Sequence, residues 1–181
     1  GMSQSDLSHC YNAFRGLREV SITATKRNVD GWMTRNLPKI LSGAANLETL
    51  RFNGCFGETF PISTEFILST TTWSQLTSLT LSDTSVDQKD FLDLLTRHSG
   101  TLKDINLCTV TLTDGFWKIL LEGMKSSLSL RKIEIYWPCE IDNEHKIVLH
   151  SHWNALTSYL LGDGPYPRSE ERRVGKECLC S

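Results

Sequence analysis

The sequence predicts an α/β protein, a solenoid of stacked strand–helix units with a curved parallel sheet on its concave side and helices on its convex side. A six-residue pattern, Leu-x-x-Φ-x-Φ (Φ is apolar), recurs five times, and successive copies begin 30, 29, 26 and 28 residues apart. Helical apolar spacing follows the strand pattern. A period of this length is the signature of a repeat solenoid, because one unit cannot cover its own apolar faces. The five motifs begin at Leu17, Leu47, Leu76, Leu102 and Leu130.

Each motif has the length of one short strand. Alternate residues of a strand face opposite sides, so the spacing predicts that Leu50 and Phe52 face the core. Thr49, Arg51 and Asn53 are then expected on the opposite face. The first leucine of every motif is predicted to pack inward as the chain enters the strand.

Helical patterns follow the strands, with apolar residues three and four positions apart. Asp87 is a predicted N-cap, and Thr113 or Asp114 is predicted to cap the next helix. A final helix is expected over roughly residues 144–161, either as a cap of the solenoid or as part of the next repeat. The other predicted helical segments are 32–43, 62–73, 87–100 and 113–125.

Composition narrows the class of protein. The chain has 181 residues, 39% apolar and 22% charged, with a formal charge of −2, as expected for one globular domain. This charge favours neither nucleic acid nor an anionic membrane as a partner. The sequence has no apolar run of membrane-spanning length and no signal-peptide pattern near its N-terminus. Together with six widely spaced cysteines, these features predict reduced thiols and a cytoplasmic or nuclear location.

The composition changes abruptly near the C-terminus. We assign residues 1–165 to the repeat region, about five irregular repeats that we interpret as a fragment of a larger protein. Residues 168–181 are interpreted as a non-native tail, because RSEERRVGKEC resembles the translation of a sequencing-library adapter. The alternative interpretation is a disordered charged tail.

The outward-facing strand residues form the candidate partner-binding surface. Its centre is rich in hydroxyl groups, and its C-terminal end adds Tyr136 and Trp137 beside charged side chains, as interface anchors often are. The alternative is a solvated sheet face with Trp137 tucked under a loop. Glu19, Ser21 and Thr23 continue the surface at its N-terminal end, and Cys108 lies within it. The candidate residues are Thr49, Arg51, Asn53, Ser78, Thr80, Ser82, Asp104, Asn106, Lys132, Glu134, Tyr136 and Trp137.

The sequence predicts no catalytic residue, no metal site and no cofactor, and therefore a protein that is not an enzyme. His145, His150 and His152 are five and two residues apart, whereas zinc ligands on a helix are three or four apart. Cys108 and His98 could be imagined as a catalytic pair, but no neighbouring group in the sequence activates either one.

The motifs resemble leucine-rich repeats of the long, helix-containing type over about residues 14–161. The consensus of that family continues after the strand to a Cys or Asn, and Cys55 matches it. Thr84 and Val110 occupy this position in other repeats, so the repeats are degenerate. The resemblance implies a protein-recognition surface rather than an active site.

Two segments, LPKILSGAANLETLRF (37–52) and WSQLTSLTLSDTSV (73–86), resemble the irregular repeats of fungal F-box proteins. This resemblance implies the substrate-binding part of a ubiquitin ligase, joined to a Skp-type adaptor and a cullin through an F-box that is not recognisable in this sequence. The first alternative is a free-standing repeat scaffold or inhibitor unrelated to ubiquitin. A hydrolase or transferase is a more distant alternative.

Overall fold

The computed structural model describes residues 9, 11–25, 31–54, 62–64, 71–142, 145–148 and 153–162, which form an α/β fold with two largely parallel sheets. The tail 168–181 and the predicted positions Cys55, His150 and His152 lie outside these residues. In chain order the elements are β1 (Glu19–Ala24), α1 (Gly31–Ser42), β2 (Thr49–Gly54), β3 (Ile62–Ser63), β4 (Ser78–Ser82), β5 (Thr84–Asp87), α2 (Gln88–Arg97), β6 (Asp104–Cys108), β7 (Thr111–Asp114), α3 (Trp117–Ser127), β8 (Lys132–Tyr136), β9 (Cys139–Asp142), β10 (His145–Val148) and α4 (Trp153–Leu161).

The five motif-bearing strands form one sheet, which we call the first sheet. Its order is β1-β2-β4-β6-β8, and every neighbouring pair is parallel. The motifs pair in register, so equivalent positions of successive motifs lie side by side. The prediction of an α/β protein with parallel strands is therefore confirmed. One such row across the sheet consists of Val20, Leu50, Leu79, Ile105 and Ile133.

Side chains of the first sheet alternate between buried and exposed positions. Leu50 and Phe52 are fully buried, whereas Arg51 between them is partly exposed, as predicted. The prediction for the leading leucines holds for the three inner motifs but is wrong for Leu17, which is 37% exposed, and only partly right for Leu130. These two leucines lie just before β1 and β8, the outermost strands of the sheet, which have a neighbouring strand on one side only. Their side chains consequently have less apolar surface to pack against.

The remaining strands form a second sheet of order β10-β9-β7-β5-β3. In chain order, β5, β7 and the pair β9–β10 each stand between a strand of the first sheet and the next helix. Its members are parallel except for β10, which runs antiparallel to β9.

The predicted helix over 62–73 is wrong at Ile62–Ser63, which is a strand, and at 71–73, which is not helical. The predicted final helix is also too long, since 145–148 is a strand and the helix begins at Trp153. The β-branched residues Thr84 and Val86 favour the short strand β5.

Helix α2 begins as predicted. The Asp87 carboxylate accepts hydrogen bonds from the backbone N–H groups of Lys89 and Asp90, at 2.8 and 3.0 Å. This capping satisfies two of the backbone donors that every helix start leaves without an intrahelical partner.

Helix α3 begins differently, and the prediction of Thr113 or Asp114 as its cap is wrong, because both residues belong to β7. Phe116 holds the N-cap position and makes no side-chain capping bond. Side chains from neighbouring repeats replace the local cap. Gln88 Oε1 accepts from the Phe116 N–H at 2.6 Å, and Glu140 Oε1 accepts from the Trp117 N–H at 2.7 Å.

Two buried tryptophans bind the layers of the core together. Trp73 and Trp117 are each 1% exposed. The Trp73 indole N–H donates to the carbonyl of Leu41 in α1 at 2.9 Å, and the Trp117 indole N–H donates to the carbonyl of Cys139 in β9 at 2.8 Å. Each ring therefore buries a large apolar area while its one polar group is satisfied. Across the described part of the chain, the helices are too short or too polar to span a bilayer.

Leu79→Ala tests the register of the first sheet. Leu79 is fully buried at the middle strand, so removing its side chain should open a cavity and lower the free energy of unfolding by about 2–5 kcal/mol. Urea denaturation measures the change. Thr80→Ala, one residue away on the exposed face, is the matched control and should change stability by less than about 0.5 kcal/mol. Equal losses in both variants would contradict the alternation.

Glu140→Ala tests the capping of α3 by another repeat. Loss of the carboxylate leaves the Trp117 N–H without its acceptor and should lower the free energy of unfolding by about 1–2 kcal/mol. Glu140→Gln keeps an oxygen in place and should lose less than half as much. Denaturation curves of the two variants, recorded together, show whether the oxygen stabilises the helix start; a loss of equal size in both would contradict this role.

Candidate functional site on the exposed face of the first sheet

The structure brings the predicted surface residues together. Eleven of the twelve lie on the exposed side of the first sheet, and Trp137 follows directly after β8. We call this surface the strand face. Its three rows, read across β2, β4, β6 and β8, are Thr49, Ser78, Asp104 and Lys132; Arg51, Thr80, Asn106 and Glu134; and Asn53, Ser82, Cys108 and Tyr136. On β1, Glu19, Ser21 and Thr23 extend the same rows, as predicted.

The middle of the strand face is formed by Ser78, Thr80 and Ser82 of β4, all partly exposed. Their side chains are short, so the protein surface above β4 lies closer to the backbone than it would above long side chains. Each hydroxyl can both donate and accept a hydrogen bond. The centre of the strand face is thus polar, and its hydroxyl groups can pair with either donors or acceptors of a partner.

Two ion pairs join charged residues of the strand face to each other. Arg51 forms an ion pair with Glu19 across β1 and β2. The Glu134 carboxylate accepts from Lys132 Nζ and from Asn106 Nδ2, both at 3.0 Å, and this pairing raises the pKa of Lys132. The pairs are solvent-exposed and therefore contribute little to stability. They do hold the carboxylates at defined positions on the surface.

Asp104 is held in the same way at the edge of the strand face. The Arg131 guanidinium donates to both of its carboxylate oxygens, at 2.5 and 3.1 Å, and the hydrogen bond raises the pKa of Arg131. Such two-point pairing fixes the orientation of both groups. Arg131 was not among the predicted surface residues, because it precedes β8 and the strand register does not extend to it.

Tyr136 and Trp137 form the aromatic end of the strand face. Their side chains are 42% and 50% exposed, respectively. The half-exposed indole does not fit the alternative of a tryptophan tucked under a loop. We refer to these two residues as the aromatic pair. Large aromatic side chains next to fixed charges are the residue types that most often dominate protein–protein affinity.

The backbone at Trp137 is left-handed, with φ 47°. Asp83 (φ 51°) and Thr109 (φ 54°) hold the same conformation directly after β4 and β6. The first sheet continues through these turns, since the Asp83 N–H donates to the Cys108 carbonyl at 2.9 Å and the Thr109 N–H to the Tyr136 carbonyl at 2.8 Å. A left-handed residue other than glycine costs about 1–2 kcal/mol, least for Asp, and the hydrogen bonds that continue the sheet through these turns offset part of that cost.

Sequence reasoning did not find these turns. Glycine is the usual signal for a left-handed residue, and the three positions carry Asp, Thr and Trp instead. Their neighbour Gly54 does show how tight the region is. A Cβ added at Gly54 would lie 2.1 Å from the carbonyl oxygen of Asp83, so the last position of β2 has no room for a side chain.

Of the residues considered as metal ligands or catalytic groups, Cys108 lies on the strand face and His98 lies in the buried interior. Among the described residues, no three His, Cys, Asp or Glu side chains are grouped as a metal site would require. His145 lies in β10. His98 is buried with both ring nitrogens engaged, by Trp73 and Leu94, whereas the Cys108 sulfur lies 3.8 Å from the Thr109 hydroxyl.

Comparisons with known proteins find a similar fold but identify no family. No family model matches the chain, and no curated protein matches its sequence. A solved structure of the leiomodin-1 actin-binding site 2 is similar, with a TM-score of 0.54, 13% sequence identity and coverage of 90% of each chain. The similarity extends over most of both chains and concerns the fold alone.

Proposed function

We propose that this chain is a leucine-rich-repeat solenoid that recognises a protein partner through the strand face, without catalysing a reaction. Five parallel strands in register, repeated at near-constant intervals and each followed by a short strand or a helix, support the solenoid. The observation that carries the binding proposal is the aromatic pair, half-exposed at the end of a polar face whose charges are already paired.

The strand face suits recognition with little change of shape. Its backbone is held by the hydrogen bonds of a continuous sheet, so the strands that carry these side chains are ordered before a partner binds. Preorganised surfaces lose less conformational entropy on binding. The aromatic pair supplies apolar area that a partner can bury, and Glu134 and Asp104, fixed by their ion pairs, select against a partner with the wrong charge.

We further propose that the partner is a substrate of an F-box type ubiquitin ligase. Support comes from the resemblance of segments 37–52 and 73–86 to fungal F-box proteins. The chain would then present the substrate, and a Skp-type adaptor and a cullin would bind to an F-box encoded elsewhere in the same protein. A free-standing scaffold or inhibitor with the same binding face is the alternative.

Sequencing the complete transcript from both ends distinguishes these two functions. An F-box in the same reading frame supports the ubiquitin-ligase proposal, and its tagged product should then bind a purified Skp-type adaptor. A complete coding region without an F-box would leave the scaffold. The same reads show whether codons 168–181 belong to the transcript.

The aromatic pair should determine partner binding. Tagged complete protein carrying Trp137→Gly or Trp137→Ala should lose its specific partners in quantitative affinity purification, with at least about a tenfold drop expected for loss of a hot-spot residue. Ile119→Ala is the matched control, because Ile119 is an exposed apolar residue (48%) on α3 rather than on the strand face. Partners retained by both Trp137 variants, or lost equally in Ile119→Ala, would contradict the proposed site.

The same two variants separate binding from folding. Both remove the indole, but glycine adopts φ 47° without the steric cost that alanine keeps. Trp137→Gly should therefore be more stable than Trp137→Ala, by about 1 kcal/mol in urea denaturation. Equal stabilities would show that the left-handed turn relaxes when the ring is removed.

Actin is a specific partner to test, because the similar solved structure is named as an actin-binding site. At 13% identity the likeness gives no reason to expect conserved contacts. Co-sedimentation of the purified chain with filamentous actin provides the test. Binding that disappears in Trp137→Gly would keep the strand face as the site and replace the ubiquitin-ligase substrate as the partner.

A further inference from the structure

A chain of buried hydrogen bonds joins α1, the segment before β4 and α2. It starts at the Leu41 carbonyl of α1, which accepts from the Trp73 indole. The backbone N–H of Trp73 donates to Nε2 of His98 at 2.9 Å, and His98 Nδ1 lies 2.8 Å from the carbonyl of Leu94 in α2. Trp73 and His98 are 1% and 2% exposed, and their rings stack with centroids 5.8 Å apart.

These contacts fix the protonation state of His98. A backbone N–H can only donate, so Nε2 must offer its lone pair to Trp73. In a neutral imidazole the other nitrogen then carries the hydrogen, and Nδ1–H donates to Leu94. A second proton, taken from solvent, can only add to Nε2. There it would face the Trp73 N–H, donor against donor, and the hydrogen bond would break.

The surroundings of His98 favour the neutral ring. Burial lowers the pKa of His98 below its ordinary value, the hydrogen bond to Leu94 opposes this shift, and the positive charge of Arg97 adds to it. Trp73, packed on the ring from the segment before β4, brings no charge. In the described part of the chain, Arg97 is thus the charged group that acts on the imidazole. No carboxylate from a neighbouring element stabilises the charged form there.

The sign of the pH effect follows from the lowered pKa. Below about pH 6.5 the unfolded chain binds a proton at this histidine while the folded chain resists it. The contribution of His98 to stability is therefore complete above this pH and decreases as the pH falls through the folded-state pKa. Acid therefore lowers the stability of the folded chain, because protonation of His98 at Nε2 removes the acceptor of the Trp73 N–H.

His98 is placed where its release would affect two strands. The Leu76 N–H donates to the Trp73 carbonyl at 3.1 Å, and β4 begins two residues later. On the other side, the Leu102 N–H donates to the His98 carbonyl at 2.8 Å, just before β6. The starts of both strands are thus anchored to the two residues that share the Nε2 hydrogen bond.

We propose that His98 is a proton-sensitive latch: protonation at Nε2 breaks its bond to the Trp73 N–H and releases residues 71–77 from α2 while the rest of the fold persists. The latch is independent of the proposed protein-binding function. Trp117 provides an internal comparison. Its indole is equally buried, but it donates to the Cys139 carbonyl, which does not titrate.

Hydrogen exchange measured by NMR tests the latch on the chain as it stands. Protection factors, which remove the intrinsic pH dependence of exchange, are compared at about pH 7.5 and pH 5.0. The Trp73 backbone N–H should lose at least about tenfold in protection at the lower pH, and the Trp117 indole N–H less than about threefold. His98→Gln is the matched variant, because glutamine can offer an acceptor oxygen without titrating. In this variant the protection of Trp73 should not depend on pH.

Loss of protection at Trp73 that is equal at Trp117, or that persists in His98→Gln, would overturn the latch by showing general acid unfolding. Titration of the imidazole ring signals in the wild-type chain decides the matter even if His98→Gln does not fold. A His98 pKa below the ordinary value of 6.5, with loss of Trp73 protection over the same pH range, supports the latch. A ring that titrates at or above 6.5 would overturn it.

Discussion

The in-register stacking of five parallel strands is the constraint on which the rest of the structure depends. The inward side chains of each strand pack beside the equivalent side chains of the next strand, so the row from Val20 to Ile133 is continuous. No single strand could bury these residues alone, and the two outer motifs show this directly at Leu17 and Leu130. The same register that builds the core also aligns the exposed residues into rows. Core and strand face are two results of one arrangement.

Hydrogen bonds between repeats make the stacking more specific than apolar contact alone. The start of α3 is satisfied by Gln88 from the preceding repeat and by Glu140 from the following one. The indole of Trp73 reaches back to α1, and the indole of Trp117 reaches forward to β9. Each repeat therefore completes its backbone hydrogen bonding with groups of its neighbours. Such coupling favours folding of the repeats as one cooperative array.

The parts of the fold that could be predicted are those set by local periodicity. Alternation placed Leu50 and Phe52 inside and Arg51 outside, and the Asp87 cap could be read from its position before an apolar helical stripe. The second sheet was missed because strands of two to four residues leave almost no periodic signal. The cap of α3 was missed because Glu140 is 23 residues away from Trp117 in sequence, and only the fold brings them together.

The strand face was predictable residue by residue from the register, whereas the conformation at its aromatic end was not. Nothing in the local sequence indicates that Trp137 is left-handed, because tryptophan rarely adopts that conformation. The turn is dictated by repetition, since Asp83 and Thr109 occupy the same position in the two preceding strands. Tertiary context overrides local preference at Thr109 and Trp137, whereas Asp83 is a residue type that tolerates this conformation.

The register of the first sheet also fixes the spacing of the exposed side chains that a partner would contact. Neighbouring strands lie about 4.8 Å apart, and exposed residues on one strand recur about every 6.7 Å. The surface is therefore a regular lattice whose chemistry changes from strand to strand, and the row that ends at the aromatic ring of Tyr136 consists of Thr23, Asn53, Ser82, Cys108 and Tyr136. An extended segment laid across all five strands would cover about 19 Å, the length of about six residues. Along the row that ends at Tyr136, its contacts would change from hydroxyl and amide groups to a thiol and then to an aromatic ring.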